Sequence, residues 1–235
     1  MKPQGDQKES CERMFRTSVH KFGEERQKHN FEIKIVEDLK EEYGLFVWPS
    51  SVILAEYVWH QRNRFSGAHV IELGAGTSLP GLVAAKLGSY VTLTDAEDKL
   101  EVLENMRRMC NLNGVDCQVL GLTWGVWDNH TTTLKADFVL GADVLYDSSA
   151  FDDLFATVSY LLEARSGSTF ITTYHDRSGH QLIKLLMAKW GLGCVKLIDG
   201  FSFMPPCKAS RLRGNIQLAE IKLQEHNKGA DETLI

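Results

Sequence analysis

Cysteine is sparse in this chain, histidine pairs are missing, and neither a long apolar run nor a surplus of positive charge is present. The five cysteines, Cys11, Cys110, Cys117, Cys194 and Cys207, are odd in number, form no CxxC and lie in or beside apolar segments. They offer no disulfide framework and no zinc site, and they read as reduced thiols of an intracellular protein. The eight histidines contain no HxxxH pair, His175 and His180 being five apart, so no metal is expected. No segment approaches the roughly 18 apolar residues of a membrane span. The first 30 residues mix Lys, Arg and Glu around no apolar centre, so neither a secretory signal nor a membrane association is expected. Lys and Arg number 26 against 31 Asp and Glu, a net charge of −5. That balance argues against a nucleic-acid-binding surface spread over the whole protein and is compatible with a basic protein substrate.

What the chain does carry is the stretch ELGAGTSLPG, Glu72 to Gly81, followed by LTDAED with Asp95 at the end of the next apolar run. Gly74, Gly76 and Gly81 sit where a strand must turn sharply into a helix, so a ligand can approach backbone that has no Cβ in the way. An acid about 20 residues past the first glycine, at the tip of a second strand, is placed to accept hydrogen bonds from both hydroxyls of a ribose. Nicotinamide enzymes use GxGxxG around a pyrophosphate, whereas the spacing here is GxGxxxxG. Glu72, read as a carboxylate aimed at the ligand mouth, would repel a diphosphate and suit a cation. S-adenosylmethionine, with a sulfonium, an ammonium and no phosphate, is therefore the expected cofactor. A ligand-free tight turn in an α/β core is the bland alternative.

With 235 residues and 43% apolar composition the chain can close one core unaided. Residues 1–30 are polar and read as a disordered or lid-like tail, 31–223 as the domain, and 224–235 as a flexible tail. FEIKIVED alternates with Phe31, Ile33 and Ile35 on one face, an exposed strand, and a helix starts at Pro49. AHVIEL, YVTLTD, CQVLGL, ADFVLGAD, STFITTY and CVKLI then alternate with helices over Leu79–Leu87, Asp98–Asn111, Phe151–Glu163 and Gly179–Trp190. NIQLAEIKL adds a further strand. Near-continuous apolar strands separated by helices mean a mostly parallel, doubly wound sheet covered on both faces. Between the last two strands, residues 199–214 form a long loop with Lys208, Arg211 and Arg213, either simply solvated or gripping an acidic partner.

ADVLYD, Ala142 to Asp147, ends the fourth core strand and opens on the same rim as Gly74 and Asp95. Methyl transfer is an in-line displacement, so the protein has mainly to position, desolvate and electrostatically guide the acceptor. A lysine acceptor must first lose a proton, which an aromatic wall and a carboxylate assist; an arginine needs a carboxylate clamp on its guanidinium fork. Asp143 with Asp147 suits either, Tyr146 supplies the aromatic wall, and Asp147 has the alternative of capping the next helix. Trp124 in GLTWG and Trp48 in VWP are candidates for walls of the cofactor pocket or, equally, packed core residues.

These segments, VWP at Val47–Pro49, ELGAGTSLPG, Asp95, TWG at Thr123–Gly125 and DVLY at Asp143–Tyr146, resemble those of methyltransferase family 16, a seven-β-strand group known chiefly for protein lysine methylation. The resemblance covers roughly Glu32 to Leu223. It implies a Rossmann-like class I methyltransferase fold, a seven-stranded sheet with a reversed last strand and a short N-terminal strand and helix extension. It implies S-adenosylmethionine as donor, residence in nucleus and cytoplasm, and a protein acceptor. For the branch this chain resembles, histone arginine is favoured over lysine. The resemblance assigns cofactor contacts to Trp48, Glu72, Gly74, Asp95, Trp124 and Ala142, with Gly76 in the same loop, and places Asp143 and Tyr146 at the acceptor. The double-glutamate loop of better-known arginine methyltransferases is absent, so an arginine clamp would come from Asp143, Asp147 or a loop residue. A short-chain oxidoreductase would need a Lys four residues after a Tyr, but Tyr146, Tyr160 and Tyr174 are followed at that place by Ala150, Ala164 and Ser178. A cofactor-binding pseudoenzyme is the alternative outside catalysis. Nothing sets the oligomeric state, and a monomer is the expectation.

Overall fold

The computed structural model describes residues 15–23, 30–38, 43–129, 131–175 and 180–224. Strands β1 (Phe15–Phe22) and β2 (Phe31–Asp38) pair antiparallel as a separate two-stranded sheet. Helices α1 (Pro49–His60) and α2 (Arg62–Phe65) lead into the alternation β3 (His69–Glu72), α3 (Leu79–Lys86), β4 (Tyr90–Asp95), α4 (Leu100–Asn113) and β5 (Cys117–Gly121). It continues through β6 (Phe138–Ala142), α5 (Phe151–Glu163), β7 (Thr169–His175), α6 (His180–Lys189), β8 (Leu192–Asp199), α7 (Pro206–Ala209) and β9 (Ile216–Leu223).

The seven strands β3 to β9 form one sheet in the order β5-β4-β3-β6-β7-β9-β8. Pairs are parallel from β5 to β7, and β9 runs antiparallel between β7 and β8. The reversal is local chemistry as well as topology. Glu220 of β9, almost fully buried, accepts a bidentate pair from Arg64 Nη1 at 2.8 Å and Nη2 at 3.0 Å, and a hydrogen bond from the Tyr57 hydroxyl. Such pairing keeps a buried carboxylate ionised, and it ties β9 to α1 and α2.

Apolar residues cover both faces. One core cluster joins Tyr57, Leu82, Met106 and Ile35 from α1, α3, α4 and the hairpin; the other joins Phe155, Leu161, Phe170 and Ile221 from α5 and the opposite face of the sheet. The second core helix ends as the sequence dictates, with Gly114 in the left-handed region at φ 58°.

Two expectations are corrected. Phe15–Phe22 is a strand and not part of a tail, because Phe22, fully buried, packs in a tilted contact at 5.6 Å against Phe31, which meets Trp59 of α1 edge-on at 5.5 Å. Nor is β2 exposed: Ile33 and Ile35 are wholly buried, and Asn113 at the end of α4 exchanges hydrogen bonds with both backbone groups of Lys34 at 2.8 Å. Residues 1–14, 24–29 and 225–235 of the expected tails lie outside the described residues. Among the described residues no helix is long and apolar enough to cross a membrane, and no group of three or more His, Cys, Asp or Glu is arranged to hold a metal ion.

Candidate functional site

A cavity of about 730 Å³ opens at the carboxyl ends of β3, β4, β5 and β6, within the usual range of about 300–1,000 Å³ for small-molecule sites. It lies at the β3/β6 junction, where the strand order reverses and open α/β sheets bind ligands. Its floor is the β3–α3 turn from Gly74 to Thr77. Gly74 and Gly76 adopt φ 56° and 50°, a region L-residues enter only at a cost. A Cβ on Gly76 would lie 3.0 Å from the carbonyl oxygen of Gly44, so the segment before α1 folds directly over the glycine loop.

That segment, with the first turn of α1, forms one wall through Phe46, Trp48 and Ser51. Phe46 and Trp48 meet edge to face at 5.4 Å, and the Val47 amide donates to Glu37 of β2 at 3.1 Å. The N-terminal hairpin thereby buttresses the aromatic wall. Trp48 is also the extended residue immediately before α1, whose first position is Pro49.

Asp95 faces the cavity from the tip of β4. Its Oδ2 accepts from the Gly76 amide at 3.0 Å and its Oδ1 from the Ala96 amide at 2.9 Å. Burial raises its pKa, opposed by those two amides and by Lys99. Each oxygen keeps a lone pair for a further donor. Trp124 lies against the first glycine: a Cβ on Gly74 would stand 3.2 Å from its Cζ2 and 3.1 Å from Val144 Cγ1. Wall and packing roles are thus combined in one indole, which also joins the second core cluster.

On the other side the cavity meets Ala142, Asp143, Val144 and Tyr146. Asp143 has φ 56°, the left-handed region, which for a non-glycine residue costs on the order of 1–3 kcal/mol. It is held there by its amide, which donates to the Thr173 carbonyl of β7 at 2.7 Å. Tyr146 stands at the mouth with 61% of its surface exposed.

Two of the expected site residues are placed elsewhere. The Glu72 carboxylate does not line the cavity; it is turned inward, 1% exposed, and its Oε2 accepts the Gly81 amide at 2.8 Å. A Cβ on Gly81 would lie 2.5 Å from that oxygen and 2.4 Å from Leu93 Cδ2, so the third glycine serves helix packing and this carboxylate, not a ligand. Burial pushes the Glu72 carboxyl up to about 8, against the Gly81 amide and with the charge of Asp95 adding to the rise. Asp147 also lies off the cavity wall. Its Oδ1 accepts from Ser149 N at 2.9 Å and Ser149 Oγ at 2.7 Å, which caps the 3₁₀ turn Ser148–Ala150 before α5 and holds the carboxyl below its ordinary value. The local side-chain bond wins because the residue two positions on presents both donors.

The structure adds Phe46, Ser51, Thr77, Lys99 and Asp153 to the walls. Phe46 was legible as the aromatic neighbour of VWP, and Lys99 as the base after Asp95; Asp153, inside a helix start, had no sequence signal. Three carboxylates, Asp95, Asp143 and Asp153, face one ammonium, Lys99, across otherwise aromatic and aliphatic walls. A cationic nucleoside fits this lining better than a phosphorylated one. The negative lining expected from Glu72 is present, supplied by other residues.

The comparisons with known proteins bear on the family and the fold. A family model described as lysine methyltransferase matches residues 27–187. The histone-arginine methyltransferase METTL23 of Xenopus laevis is 37% identical over 219 residues, 92% of this chain and 93% of the relative. The human protein of the same name is 36% identical over 156 residues, covering 65% and 82%. The protein N-lysine methyltransferase METTL21A of Xenopus tropicalis is 33% identical over 161 residues, covering 67% and 73%. Among solved structures, the T. thermophilus 16S rRNA N2 G1207 methyltransferase RsmC superposes with a TM-score of 0.59 at 16% identity, covering 89% of this chain and 50% of that one. The CcbJ methyltransferase of Streptomyces caelestis gives 0.57 at 12% identity, covering 79% and 94%. At such identities the structural likenesses speak to the fold alone.

Proposed function

We propose, from the premise that this chain belongs to methyltransferase family 16, the lysine methyltransferase family whose model it matches, that its acceptor is an arginine side chain of a histone or another nuclear protein. The chain is an S-adenosylmethionine-dependent methyltransferase. When bound, the cofactor supplies an electrophilic methyl group on a sulfonium. The glycine loop at Gly74 and Gly76, Asp95, Trp48, Trp124 and Ala142 are the residues that would hold it, all on the wall of one cavity. The Asp95 oxygens retain acceptor capacity for ribose hydroxyls, and the aromatic walls give the cavity an apolar lining beside them.

Asp143 and Tyr146 are the acceptor residues in this reading. Asp143 would accept the proton that an acceptor guanidinium nitrogen gives up on methylation. Tyr146, exposed at the mouth, flanks the incoming side chain. The observation that carries the arginine reading is the negative acceptor end of the cavity together with the relatives named for histone arginine. The lysine reading rests on relatives such as METTL21A and on the family description. A histone acceptor would place the protein in the nucleus, with cytoplasmic residence beside it. Incubation with core histones, a cell extract and methyl-labelled cofactor, followed by mass spectrometry of the products, tests the proposal. Label on arginine supports it, label on lysine alone overturns it, and cofactor binding without label on any protein makes the chain a pseudoenzyme.

A further inference from the structure

Four acids gather where β6 runs into α5, and the structure separates their tasks. Asp147 is taken up by Ser149. Asp152 accepts from Lys189 Nζ and from Trp190 Nε1, each at 2.8 Å, and so faces α6. Asp143 and Asp153 face the cavity, from the residue just past β6 and from the first turn of α5. Among the described residues, the Asp153 carboxylate takes no hydrogen bond and no ion pair.

Its place is nevertheless defined. Gly125, at φ 75°, follows the Trp124 that lies on the glycine loop, and a Cβ there would stand 2.5 Å from Asp153 Oδ1. The Gly125 amide donates to Thr157 Oγ1 at 2.9 Å, and that hydroxyl donates to the Asp153 carbonyl at 2.8 Å. The Trp124–Gly125 turn is therefore docked on the first two turns of α5, and a glycine leaves room for the carboxylate beside the indole. The arrangement holds an acid at the cavity wall where a side chain at position 125 would displace it.

We infer that Asp153 is a specificity-determining residue of the acceptor site, the second carboxylate of a guanidinium clamp whose first is Asp143. The inference rests on the arginine reading above and deepens it. A guanidinium presents two hydrogen-bonding edges in a fixed plane and keeps its charge, so carboxylates from two walls can hold it and leave one nitrogen directed inward. For a lysine the same pair is counterproductive: two nearby anions stabilise the ammonium, which has no lone pair for attack. Asp153 thus favours arginine over lysine without the double-glutamate loop.

The test compares the intact wild-type chain with Asp153→Asn and Asp153→Glu, using core histones for turnover and S-adenosylmethionine calorimetry for cofactor affinity. Arginine-containing core-histone peptides are titrated in parallel against protein loaded with S-adenosylhomocysteine, which gives a reading even where turnover is nil. The expected result is a fall of about 10- to 100-fold in kcat/KM on arginine, or in peptide affinity, for Asp153→Asn. Cofactor affinity should stay within about twofold, with partial recovery in Asp153→Glu. A purely structural role at the start of α5 would instead lower Tm and weaken cofactor and acceptor together, and that outcome overturns the inference. Arginine labelling by the wild type with Asp153→Asn within about threefold of it also overturns the inference while leaving the arginine reading intact. Labelling of lysine alone by the wild type removes both.

Discussion

Replacing Glu72 by Gln separates two accounts of the acid in the ELGAG motif. In the sequence it reads as a charge offered to a cationic ligand; in the structure it is 1% exposed, bonded to the Gly81 amide, with its pKa lifted from 4.5 to about 8 by burial. A carboxyl whose folded value is raised favours the folded state fully only below its unfolded value. That contribution is lost as pH climbs from 4.5 toward 8, because the unfolded chain ionises freely and the folded chain does not. The slope is about 1.4 kcal/mol per pH unit across that window, so by pH 7 burying Glu72 costs roughly 3 kcal/mol relative to acid conditions. Glutamine keeps the oxygen that accepts from Gly81 and cannot ionise. Urea unfolding of wild type and Glu72→Gln at pH 4, 5, 6, 7 and 8 should show near-equal stability at pH 4 and a growing advantage for the variant above it. Cofactor affinity at pH 7 should be little changed. A pH-independent stability difference, or loss of S-adenosylmethionine binding with no change of slope, would refute the buried-carboxyl account and restore the ligand-facing one.

Other substitutions probe the remaining walls. Asp95→Ala should weaken S-adenosylmethionine binding by about 2 kcal/mol in calorimetry, the loss expected when charge-assisted hydrogen bonds disappear; unchanged affinity would remove the ribose role. Asp143→Asn should lower kcat far more than cofactor affinity, and equal losses would make Asp143 a cofactor residue. Gly81→Ala should cost about 1–3 kcal/mol of unfolding free energy, since the new methyl meets Leu93 at 2.4 Å and the Glu72 oxygen at 2.5 Å. Asp147→Ala should lower Tm slightly and leave kcat within about twofold, whereas a large fall in kcat would return Asp147 to the reaction.

Strand and helix order, the doubly wound sheet, the glycine loop and the acid after the second core strand were all legible in the chain, because each rests on a local rule. Buried parallel strands read as apolar runs, a left-handed turn demands glycine at Gly74, Gly76 and Gly114, and an acid at a strand tip lies on the ligand rim whatever surrounds it. Side-chain direction was not legible. Glu72 and Asp95 are both acids at strand ends in the same motif, yet Gly81 draws the first into the protein while the second stays on the cavity wall. Asp147 and Asp153 are six residues apart; a serine two positions on captures one, and a glycine on a different loop makes room for the other. Phe15–Phe22 looked like tail because its partners, β2 and Trp59 of α1, become visible only after folding. Sequence alone determined which segments meet at the rim. Tertiary structure decided which carboxylates face the cavity, because a short charged side chain goes to the nearest fitting donor, and those donors come from elements far apart along the chain.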